Sequence, residues 1–149
     1  MFYVMYFSSA STLDQVERIV LKGSPRRETS FKSNSDVVIC DDSFTIKITT
    51  EGNHILFARE DYGYRFNYCF WFDVITGHDL WAIALMDITD LILRNLSTEL
   101  VLESNGEKPF IIQDSTGLFV DPDLAGLEQF PFDRILLKME KKVLMRQGK

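Results

Sequence analysis

Histidine, cysteine and proline are scarce in this chain. Two histidines, two cysteines and four prolines occur in 149 residues, and each shortage closes off a class of function. His54 falls in an expected strand and His78 in a turn, and neither has a carboxylate or cysteine at metal-ligand spacing, which argues against zinc. Cys40 and Cys69 both fall inside expected strands and read as buried free thiols rather than a disulfide. The sequence holds no Gly-rich phosphate loop, no Gly-x-Ser-x-Gly elbow and no Cys-x-x-Cys pair. Nor does any apolar run approach 18 residues, so no membrane-spanning helix is expected. Phe2–Phe7, followed by Ser8-Ser9-Ala10-Ser11, has the outline of a signal peptide. It lacks a basic leading region and its apolar run is six residues long, so it reads as a strand and the protein as cytoplasmic. No catalytic, cofactor or metal constellation emerges, and the expectation is a protein that is not an enzyme.

Apolar residues, by contrast, are plentiful. They make up 46% of the chain and include twelve phenylalanines, enough to exclude disorder. At this length a single domain over residues 1–149 is expected, burying about 68–70% of the surface that its unfolded chain exposes. Charge is unevenly spread. The net charge is −6, yet residues 134–149 hold six basic side chains against one acidic, a local +5 that leaves −11 over residues 1–133. An acidic body disfavours nucleic-acid backbones and favours steered association with a basic protein.

The stretch 64–106 organises the rest. From Tyr64 to Ile75 every even position is aromatic or aliphatic, which predicts a long strand with one face in the core. Twelve residues would extend roughly 40 Å, so a bend or bulge is expected within it. After Thr76-Gly77-His78 the period becomes helical. Trp81, Ala84, Leu85, Ile88, Leu91, Ile92 and Leu96 share one face, opposite Asp79, Asp87, Asp90 and Arg94. A hairpin follows, Glu99–Ser104 and Lys108–Gln113 around Asn105-Gly106, a strong turn signal.

Elsewhere, Phe2–Phe7 predicts a strand and Thr12–Lys22 a helix, opened by a Thr12/Gln15 capping box and stopped by Gly23. Residues 22–35 are basic and aperiodic, a mobile loop. Val37–Cys40 and Ser43–Thr50 alternate as strands, and His54–Arg59 continues as another. Leu118–Asp121 is a further strand. Residues 132–145 predict an amphipathic helix, with Ile135, Leu136, Met139 and Val143 inward and Arg134, Lys138, Lys141 and Lys142 outward; residues 134–149 form a basic C-terminal helix and tail. The order strand, helix, two or three strands occurs twice, a duplication at the level of pattern alone. The expected class is α+β, an antiparallel sheet with two helices packed on one face and a C-terminal amphipathic helix.

Among polar residues, the paired carboxylates Asp41/Asp42, Asp87/Asp90 and Asp121/Asp123 are the candidate partner contacts. Asp87 and Asp90 lie three apart on what reads as an exposed helical face, suited to a cation or a basic side chain. Solvated surface charge is the plainer alternative for each pair. The aromatic run 64–72 could stack bases as RNA-binding sheets do, but Arg65 is the one basic residue among the aromatics, and core packing is the stronger reading.

The order of strand Tyr64–Val74, helix, hairpin Glu99–Ile112 with Asn105-Gly106-Glu107, and Gln113-Asp114-Ser115-Thr116-Gly117-Leu118-Phe119-Val120-Asp121 resembles the immunity proteins paired with swarming-inhibition toxins of myxobacteria, a family of bacterial polymorphic-toxin systems. The resemblance spans residues 62–122 and rests on hydrophobic patterning and the Asn-Gly turn. It implies a cytoplasmic antitoxin that binds and neutralises a cognate toxin by stoichiometric protein–protein interaction, without catalysis, nucleic acid or membrane. The family supplies no catalytic residues to transfer. A secretion chaperone or adaptor, and a small-ligand-binding domain built on the sheet, remain alternatives.

Overall fold

The computed structural model of the chain describes residues 1–75, 77, 80–105, 107–123 and 130–146. His78 and its neighbours Thr76 and Asp79, Gly106 of the hairpin turn, and residues 124–129 and 147–149 lie outside the described residues. Nine strands form one sheet: β1 (Phe2–Ser8), β2 (Glu28–Lys32), β3 (Asp36–Cys40), β4 (Phe44–Thr49), β5 (Tyr68–Val74), β6 (Glu99–Ser104), β7 (Lys108–Asp114), β8 (Gly117–Val120) and β9 (Glu140–Lys141). Their order is β2-β3-β4-β5-β1-β6-β7-β8-β9. All neighbours pair antiparallel except β8 and β9, which run parallel. Among the described residues three helices complete the α+β fold: α1 (Leu13–Lys22), α2 (Asn53–Tyr62) and α3 (Trp81–Asn95). Among the described residues no helix is long and apolar enough to cross a membrane.

Side-chain alternation gives the sheet two interiors. On the first face, Tyr3, Met5 and Phe7 of β1 and Tyr68, Phe70, Phe72 and Val74 of β5 meet Val16 and Val20 of α1 and Leu85, Ile88 and Ile92 of α3. On the second, Val4, Tyr6, Cys69, Val101 and Ile112 lie under Ile55, Ala58 and Tyr62 of α2 and under Leu144. The two expected helices do share a face. The Thr12 capping box forms as expected, Thr12 Oγ1 accepting from the Gln15 amide and Gln15 Oε1 from the Thr12 amide. In the hairpin turn Asn105 adopts the positive φ (51°) that such turns require.

Several expectations are corrected. His54–Arg59 is not a strand but lies within α2. Ile55, Ala58 and Tyr62 recur at helical spacing on the buried side, and Gly63 closes the helix in the left-handed region (φ 75°). Exposed Leu56 and Phe57 interrupt that spacing, which made the short run ambiguous. The long strand starts at Tyr68 rather than Tyr64. Phe66 packs into the second interior whereas Tyr68 enters the first, so the chain bends between them. Within the 22–35 segment, expected as a loop, residues Glu28–Lys32 form the edge strand β2, with a bulge between Thr29 and Phe31.

The C-terminal helix is absent. Phe132–Arg134 makes one 3-10 turn, after which the chain continues without helix to Arg146, with the two-residue strand β9 on the way. Its backbone finds partners across the molecule: the Leu136 amide donates to Asp90 (2.9 Å), the Lys142 amide to the Val120 carbonyl (3.0 Å) and the Leu144 amide to Asp121 (3.0 Å). Tertiary hydrogen bonds thus override the helical period. Leu136 and Val143, expected inward, are 72% and 76% exposed. The duplicated element order is not a duplicated arrangement. After β1 the chain crosses to the far edge and returns inward through β2, β3 and β4; after β5 it pairs beside β1 and walks outward through β6, β7 and β8.

Candidate functional site

Asp41, Asp42 and Asp87 converge on one cleft of about 420 Å³. Its walls are the turn between β3 and β4, the segment after α1, and the first turns of α3. Asp41 shapes the turn: its Oδ1 accepts from the Ser43 (2.6 Å) and Phe44 (3.1 Å) amides. Its Oδ2 accepts from Arg27 Nε (3.1 Å), both side chains being almost fully buried. Arg27 Nη1 also donates to the Val20 carbonyl (3.1 Å), tying the end of α1 to the turn. Asp41 is therefore a structural carboxylate at the base of the cleft.

The rim differs in character. Asp42 pairs with Arg26, both well exposed. Asp87 receives two hydrogen bonds from Arg134, Nε at 2.8 Å and Nη2 at 2.9 Å, a pair about half in solvent. Hydrogen bonding to Asp87, together with its charge, raises the Arg134 pKa. Exposed pairs of this kind contribute about 0–1 kcal/mol, so a partner's cation can share or replace them at little cost. Leu80 and Ile83, both exposed, lie beside these charges. The rim thus sets carboxylates next to apolar surface.

The remaining expected contacts do not join this site. Asp90 is buried, not on an exposed face; it pairs with Arg94 (2.8 Å) and accepts the Leu136 amide. Asp121 is buried and holds the Leu144 and Asp123 amides and Lys108 Nζ (3.2 Å). Burial opposes its ionisation, but these donors outweigh it and lower its pKa. Asp123 is exposed and contributes its carbonyl to Lys108 (2.9 Å). His54 lies within hydrogen-bond distance of Thr49 Oγ1 (3.3 Å); burial, then the nearby Lys47 charge, lowers its pKa. Among the described residues no group of three or more His, Cys, Asp or Glu side chains is placed to hold a metal ion.

A polar cluster that the sequence did not suggest lies in the second interior. Glu103 is fully buried and accepts from Tyr62 Oη and from Arg146, at 2.9 Å from Nη2 to Oε1 and 3.1 Å from Nε to Oε2. Arg146 Nη1 also reaches Asp61 at 3.3 Å. Burial, then the Glu103 charge, pushes the Cys69 thiol up to about 12. The one sequence signal was the phase of β6, which sets Glu103 on the same side as Val101. Comparisons with protein-family models, curated proteins and solved structures returned no match to this chain.

Proposed function

We propose that this chain is an immunity protein, one that binds a basic protein toxin stoichiometrically and neutralises it without catalysis. The observation that carries the reading is the cleft rim, where Asp42 and Asp87 stand beside exposed Leu80 and Ile83. Its chemistry suits lysine or arginine side chains on an apolar backing. The surplus of 22 acidic over 16 basic residues would steer the encounter. The resemblance of residues 62–122 to toxin-neutralising proteins supports the same reading. Catalysis has little to work with at the rim, where each acidic group is already paired with an arginine in solvent.

The test is the double variant Asp42→Lys/Asp87→Lys. Asp42 is exposed and Asp87 half-buried with its pair to Arg134 in contact with solvent, so thermal stability is expected to stay within about 1 kcal/mol of wild type. Affinity for the toxin is expected to fall about a hundredfold, the loss of roughly 2–3 kcal/mol when like charges meet across an interface. Calorimetric titration checks this. Unchanged affinity would remove the cleft from the interface.

A further inference from the structure

In residues 142–146, Leu144 is buried and Arg146 half-buried, whereas Val143 and Met145 face solvent and Lys142 is exposed with its ammonium over the Phe119 ring. Lys142 Nζ sits 3.9 Å from the Phe119 ring centroid, Leu144 is buried in the second interior, and Arg146 enters the pocket made by Glu103, Asp61 and Tyr62. Strand pairing is short, two residues of β9 against β8, continued by the Lys142 amide on the Val120 carbonyl, and the Leu144 amide then donates to the Asp121 carboxylate. Beside the segment a hollow of about 240 Å³ is lined by Tyr64, Ile112, Asp114 and Phe119.

The pocket that receives Arg146 belongs to other elements. Asp61 and Tyr62 come from the last turn of α2, Glu103 from β6, and Tyr62 bonds Glu103 directly. The fully buried Glu103 carboxylate is met there by a cation. The paired approach of Arg146 nitrogens to both Glu103 oxygens fits the planar fork of a guanidinium better than a lysine ammonium.

We propose that the edge of β8 and the groove from Phe119 to Glu103 form a binding site for an extended basic segment of pattern basic-x-apolar-x-Arg. The chain's own residues 142–146 hold that site in cis. A partner segment of this pattern enters by strand addition, sets its arginine against Glu103 and displaces the intramolecular one. This goes beyond the Asp42/Asp87 cleft and does not rest on it. The cis segment competes at an effective concentration on the order of millimolar, so the site stays closed to weak ligands.

The probe is a labelled, end-capped peptide of residues 138–146, added to the full-length chain and followed by fluorescence anisotropy. Arg146→Ala in the chain weakens the cis contact, and the peptide is expected to bind this variant about tenfold or more tighter than wild type. The same peptide carrying Arg146→Ala is expected to lose about tenfold or more. Equal binding to both chains, binding to neither, or indifference to the peptide arginine would overturn the proposal. So would a wild-type dimer that dissociates when Arg146 is replaced, since that assigns the groove to a second copy's segment. Hydrogen exchange on the unaltered chain covers the case of an unstable variant. The Lys142 and Leu144 amides are expected to exchange about a hundredfold faster than the Met5 and Phe70 amides, through local opening. Equal protection would rule out displacement.

Discussion

Glu103 occupies a position where the alternation of β6 would ordinarily set a valine or leucine. Its charge is tolerated because Arg146 and Tyr62 meet it. Arg146→Ala leaves that carboxylate buried without its guanidinium. The expected cost is about 3 kcal/mol, the low end for a broken buried pair, because 31% of the Arg146 side chain remains in water. Adding Glu103→Gln to that variant is expected to recover at least half the loss, since the neutral amide still accepts from Tyr62 and no longer needs a cation. Urea unfolding of the three chains checks both statements; a double variant weaker than the single would contradict them. Asp121 makes a pH-dependent contribution. Its folded-state pKa lies below the ordinary 3.8, so its stabilisation is complete above that value and is lost as pH falls through the lower one. The stability gap between wild type and Asp121→Asn is therefore expected to hold steady from about pH 7 to 5 and to shrink below about pH 4. A gap that widens in acid would contradict the assignment. Neither role was legible in the sequence. Glu103 stands two residues before the Asn105 turn, where exposed charge is ordinary, and its partner lies 43 residues away.

Elements whose own residues determine them were legible. α1 carries its capping box, its buried Val16 and Val20, and a stopping glycine within twelve residues, Thr12–Gly23. Thr12→Ala removes the acceptor for the Gln15 amide, at an expected cost of about 1 kcal/mol. In a chain of this size that lowers the melting temperature by about 3 °C, measurable by circular dichroism. No shift would mean that packing of α1 on the sheet leaves the cap redundant. β1 announces itself through an unbroken apolar run, β4 through alternation and α3 through helical period. The segment 132–146 does not. Its apolar spacing is helical, but Asp90, the Val120 carbonyl and Asp121 offer its amides distant partners that no local pattern encodes. α2 failed to show for a different reason: exposed Leu56 and Phe57 blur its buried face.

At the scale of the molecule, the strand order decides which charges meet. Asp41 and Asp42 are separated from Asp87 by two strands and a helix in sequence (β4, α2 and β5), yet the return of β2–β4 toward β5 brings the β3–β4 turn beside the start of α3. The same topology places Asp90 and Asp121 under the C-terminal segment, where they hold backbone instead of facing a partner. Paired carboxylates were thus visible in the sequence, but their division into rim and support required the sheet. A mixed apolar and acidic rim on a net acidic chain is the basis for the proposed binding of a basic protein, and that binding is the claim on which the functional account stands. The most direct measurement is affinity capture from the native host at moderate salt, followed by expression of each retained protein alone and together with this chain. The account expects one basic protein that arrests growth by itself and is harmless when co-expressed with this chain. Retention of harmless proteins only, or arrest that co-expression leaves untouched, would contradict it.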